Sequence, residues 1–172
     1  MSRLSIVLSM FALALTLSAC QSADEEAAPK VAAAVVVLHA PASSDDKEWK
    51  IYLQQVVGQN MAGVTDRVFP YYLPANSTTP TPGDAENRSQ YDRQLDNVAS
   101  VLSRTVLPGN MLVFGSPDSV KMADLVVSSF SGGKADALKG SQVLFIGKAE
   151  DNARVQAAVQ ATGAKYIFVE AK

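Results

Sequence analysis

Cysteine, histidine and tryptophan are almost missing from this chain of 172 residues, with one of each. Cys20 has no second thiol to meet, so no internal disulfide can form. One His and one Cys cannot assemble the usual nitrogen and sulfur ligands of zinc or copper. No metal or other cofactor is expected. An excess of either charge is missing too: 15 Lys and Arg face 17 Asp and Glu, for a net −2. So mixed a surface gives no basic stripe for nucleic acid. No Gly-x-Gly-x-x-Gly loop and no Gly-x-Ser-x-Gly elbow occurs. Gly132-Gly133-Lys134-Ala135 lacks the upstream Gly and the following Ser or Thr of a phosphate loop. Apolar runs are short. The longest, residues 4–17, falls below the ~20 residues a membrane-spanning helix needs.

What is present begins with that run. Arg3 precedes it, Leu17-Ser18-Ala19-Cys20 closes it, and Gln21 to Glu26 turn polar at once. A positive start, an apolar segment and small residues at a cut site make a secretory signal. Leu17-Ser18-Ala19-Cys20 resembles the lipobox of bacterial lipoproteins. That resemblance implies a diacylglyceryl group on the Cys20 thiol, cleavage before Cys20, and acylation of the new amino group by a fatty acid such as palmitate. One acyl chain anchors only marginally, whereas two or three hold. In that family Asp after the Cys tends to retain the protein in the inner membrane. Gln21 stands here, which implies the outer membrane, periplasmic face. The expected organisation is a signal peptide over 1–19, Cys20 with a flexible tether to 30, and one domain over 31–172. A tether of this length reaches roughly 15–20 Å.

Within the domain, five apolar stretches read as strands: 32–38, 68–73, 111–114, 143–146 and 166–169. Continuous β-branched runs suit strands buried on both faces. Helical spacing lies between them. Asp45 with Glu48 reads as a capping box for a helix carrying Trp49, Leu53, Val56 and Val57. Tyr91, Leu95, Val98 and Leu102 mark a second helix, with Asp84 as its expected cap. Ser116 with Pro117 reads as the start of a third, over Val120, Ala123, Val127 and Phe130. Residues 151–162 read as a fourth, ended by Gly163. Residues 74–84, rich in Pro and hydroxyls, read as a loop, and deleting part of 76–82 is expected to cost little stability. The alternation predicts an α/β fold, a three-layer α/β/α sandwich on a mainly parallel five-stranded sheet. The expected order is 2-1-3-4-5, similar to flavodoxin-like and Rossmann-like folds, with the strand containing Pro70 at an edge.

In such sheets ligands bind beyond the carboxyl ends of the strands. That places His39, Ser43, Ser116 and Asp118 around a candidate crevice. His39, Ser116 and Asp118 also have the residue types of a hydrolytic triad, but helix capping explains Ser116 and Asp118 on its own. Tyr71 and Tyr72 form a candidate partner surface, since one of two adjacent strand residues points away from the core. The expected function is that of an outer-membrane lipoprotein that binds, without catalysis, an envelope partner or assists envelope assembly. A small-ligand receptor and a hydrolase at the crevice are the alternatives.

Overall fold

The structure, a computed structural model, describes residues 37–104 and 106–172. Eight elements alternate: α1 (Asp46–Gln59), β1 (Val68–Tyr72), α2 (Gln90–Leu102), β2 (Met111–Gly115), α3 (Ser119–Phe130), β3 (Gln142–Gly147), α4 (Ala149–Gln160) and β4 (Lys165–Glu170). The helix starts follow from local polar chemistry. The Asp45 carboxylate accepts the Lys47 and Glu48 N–H groups at 2.9 and 3.0 Å and caps α1. Glu48 does not complete the expected box, because its carboxylate accepts the Ser43 hydroxyl. Ser89 and Asp92 cap α2 reciprocally. Asp84, expected to do so, instead accepts the Glu86 and Arg88 N–H groups of the turn before it. Asp118, rather than Ser116, caps α3. Gly163 follows α4 with φ 74°, the left-handed conformation expected of it.

The four strands are all parallel and stand in sequence order, β1-β2-β3-β4. Pairing runs from Val68↔Met111 to Tyr72↔Gly115, and on through Met111↔Gln142 and Gln142↔Lys165. This corrects the expected order 2-1-3-4-5. β1 and β2 pair directly along all five residues, which leaves no place for a strand between them. The stretch 32–38 lies outside the described residues except Val37 and Leu38, which belong to no strand. The signal segment, Cys20 and the tether are likewise outside them. Leu38 and Ala40 pack beside the sheet, and the Ala40 N–H donates to the Lys172 carbonyl at 2.7 Å.

Right-handed crossovers between successive neighbours carry α2, α3 and α4 to one face. There Tyr71, Leu112, Phe114, Val143 and Phe145 meet Val98, Met122, Val126 and Val155 in the larger core. On the other face Met111, Val113, Leu144 and Ile146 meet Trp49, Leu53 and Val56 of α1, with Leu38, Ala40, Val64 and Ala171 packed beside them. Both faces are covered, which is why β2 and β3 read as unbroken apolar runs. Gly115 lets α1 come close, since a Cβ there would run into Leu53.

Among the described residues β1 lies at the sheet edge, as Pro70 requires. The Met111 N–H donates to Arg67 and the Leu73 N–H to Gly115. With a period of two, the odd-numbered peptides of β1 therefore face β2, and those of Val68, Pro70 and Tyr72 face outward. Pro70 thus sits where its missing N–H breaks no bond of the ladder. The loop after β1 is held more firmly than its composition suggests. Ser77 is buried, its carbonyl accepts the Tyr91 N–H, and Pro80 bridges to Ser89. The loop therefore carries tertiary contacts that its composition does not show.

Candidate functional site

Two places can be built from the residues upward. The first is the crevice at the carboxyl ends of β2 and β3. One hollow of about 320 Å³ lies between Ala40, Trp49, Ser116 and Lys172. A neighbouring one of about 300 Å³ is lined by Ser44, Ala75, Asp118 and Val120. Lys148 borders both, and its ammonium makes no ion pair among the described residues.

The polar groups expected there are committed to the fold. Ser116 is 1% exposed; its hydroxyl donates to the Leu73 carbonyl at 2.8 Å and accepts the Asp118 N–H at 3.0 Å. It ties β1 to the turn after β2. Asp118 accepts the Lys121 N–H at 3.1 Å and pairs with the Lys121 ammonium at 3.1 Å. The Ser43 hydroxyl accepts the Asp45 N–H and donates to Glu48, while its carbonyl accepts the Trp49 indole N–H at 2.8 Å. His39 is exposed, and no hydrogen bond joins it to Ser116 or Asp118. A Ser nucleophile needs its hydroxyl proton aimed at a base. Here that proton is held by Leu73, so the triad geometry is not assembled.

A buried network beside the crevice was not anticipated. The Ser119 hydroxyl donates to Asp151 at 2.6 Å and accepts the Lys148 N–H at 2.8 Å. Asp151 accepts from the Arg154 guanidinium at 2.8 and 3.1 Å, and Arg154 also pairs with Asp124. The Asp124 and Asp151 carboxylates hold Arg154 above its ordinary value. These links join the start of α3 to α4. Their only sequence signal, Asp151 and Arg154 one helical turn apart, is common to ordinary helix surfaces.

The second place is a groove of about 440 Å³ between α1 and the outer edge of β1. Leu53, Val57, Val68 and Val113 make it apolar, and Gln54 and Lys50 stand on its rim. Tyr72 closes one end. Its hydroxyl donates to Asp46 at 2.8 Å, and the Lys50 ammonium lies 5.2 Å from its ring centre. Burial, then the hydrogen bond to Asp46, pushes the Tyr72 phenol well above its ordinary range. Tyr71 turns to the other face. It is 6% exposed, stacks on Phe114 at 5.0 Å between ring centres, and burial raises its pKa. Each tyrosine thus faces one of two covered sides, and neither stands free in solvent. Leu53 and Val57, read from their spacing as core, are the residues that line the groove.

Among the described residues no group of three His, Cys, Asp or Glu is placed to hold a metal ion, and no helix is long and apolar enough to cross a membrane. Comparison with protein-family models, curated proteins and solved structures finds no match to the chain.

Proposed function

We propose that this chain is an envelope lipoprotein, anchored through Cys20 to the periplasmic face of the outer membrane, whose α/β domain binds a partner protein without catalytic turnover. The support for the anchor is the Leu17-Ser18-Ala19-Cys20 run and its flanks. The observation that carries the binding reading is the apolar groove beside β1. Water in such a groove is displaced at a gain of roughly 25 cal/mol per Å² of apolar surface covered. The polar residues first considered for chemistry are spent on caps and ties.

Affinity capture from detergent-solubilised envelopes tests this. Gln54→Trp fills the groove from an exposed helical position and should abolish capture, whereas Lys148→Ala should leave it intact. Loss in Lys148→Ala alone would favour the small-ligand reading at the crevice, where the unpaired ammonium is the feature in its favour. The anchor is tested separately: Cys20→Ser should end incorporation of labelled fatty acid and leave an uncleaved precursor.

A further inference from the structure

The groove rests against an edge strand, and edge strands are ordinarily met by another strand. Here that mode is poorly served. The outward peptides of β1 are those of Val68, Pro70 and Tyr72, so the middle one has no N–H to donate. An added strand would lose the central bond of its ladder. Recognition must then come through side chains that enter the groove from the α1 side.

Among the described residues the layer on that side holds one helix: α2, α3 and α4 cover one face of the sheet, and α1, with Leu38, Ala40, Val64 and Ala171 packed beside it, covers the other. Leu53 of α1 lies against Gly115 of β2, and the α1 cluster centres on β2 and β3. Neighbouring strands lie about 4.8 Å apart and packed helices about 8–10 Å apart. A second helix beside α1 would therefore lie over β1 and its outer edge, where the groove is. Lys50, Gln54 and Val57 border it along two turns of α1, a length of roughly 10 Å. That matches apolar side chains at i, i+4 and i+7 of a facing helix.

Charge narrows the partner further. Lys50 is the only charged residue lining the groove. Its side chain is 58% exposed, and its nearest acid, Asp46, is 4.0 Å away and already accepts the Tyr72 hydroxyl. Its ammonium has donors to spare.

We infer that the groove takes an amphipathic helix of a partner protein, its apolar stripe on Leu53, Val57 and Val68 and an acidic residue beside Lys50. This rests on the reading of the domain as a binding module. Photo-crosslinking from a benzoylphenylalanine placed at Gln54, and separately at Ser44 in the crevice, tests it in bacteria expressing the full chain. Mass spectrometry of the crosslinked peptide should identify, from position 54, a helical segment with apolar residues at that spacing and an acid on its flank. Lys50→Glu should reduce that crosslink by about tenfold, and replacing the partner's acid with Lys should restore it. A crosslinked extended segment, a second copy of this chain, or a yield unchanged in Lys50→Glu would overturn the helix assignment while leaving the binding module standing. Crosslinks from position 44 alone, or from neither position, would overturn both.

Discussion

The two faces of the sheet are built to different degrees of completion. On the α2–α3–α4 side, Phe114, Phe145, Leu112 and Val143 are fully covered, and α3 is linked to α4 through Arg154, Asp124, Asp151 and Ser119. On the α1 side, Met111, Val113, Leu144 and Ile146 are just as buried under one helix, but Val57, Val68 and Tyr72 at the flank are only partly so. The three-helix side is the more closed face, though Phe69, Val101 and Phe168 are only partly buried at its edges. The α1 side keeps, among the described residues, an open apolar flank beside β1, surface that a partner can bury.

The largest effect should come from the closed face. Phe114→Ala should cost about 4 kcal/mol in urea unfolding, because the buried ring leaves a cavity between β2 and α3. Val57→Ala, on the open flank, should cost less than about 1 kcal/mol. Equal costs would erase the distinction between the faces.

Next comes the link between α3 and α4. Asp151→Ala leaves the Ser119 hydroxyl and the Arg154 guanidinium without their shared acceptor. Arg154 keeps Asp124 and partial contact with water, so the expected cost is about 2 kcal/mol. A cost near zero would mean that the closed face does not depend on this link.

The strand positions were legible before the structure: 68–73, 111–114, 143–146 and 166–169 differ from the four observed strands by one or two residues at their ends. Apolar β-branched runs between helical spacings leave little choice there. The strand order was not legible. Pro70 demands an edge, and the sequential order satisfies it as well as 2-1-3-4-5 does. Which strands pair is decided by the crossovers and the two helix layers, which no single stretch encodes. The α2 cap was missed because Asp84 and Ser89 are both good caps by type, and only Ser89 has Asp92 placed to return the bond. The tyrosine pair was half legible. Alternation put the two on opposite faces, but one residue type cannot say that both faces are covered. The groove was hidden for a related reason, since Leu53 and Val57 have the spacing of a core stripe whether or not a neighbour helix follows.

The two faces behave alike at high pH. Tyr72 on the α1 side and Tyr166 on β4 both have phenols pushed well above their ordinary value near 10, first by burial. The folded state therefore holds these protons longer than the unfolded chain. Their contribution to stability is fully present below about pH 10 and is lost as pH rises beyond it. Tyr72→Phe and Tyr166→Phe should each flatten that fall in unfolding midpoints. An unchanged slope in both would contradict the assignment.

Small effects are expected at the crevice as well. Ser116→Ala removes the buried hydrogen bond to the Leu73 carbonyl and the one from the Asp118 N–H, and should cost about 1 kcal/mol. His39→Ala, at an exposed position, should stay within about 0.5 kcal/mol of wild type.

The most direct test of the central claim, that the chain acts through the open flank beside β1, is complementation of a deletion strain. Gln54→Trp should fail to complement while its unfolding free energy matches wild type, and His39→Ala, Ser116→Ala and Lys148→Ala should all complement. Full complementation by Gln54→Trp, with function lost in His39→Ala, Ser116→Ala or Lys148→Ala as folded protein, would contradict it and return the activity to the crevice.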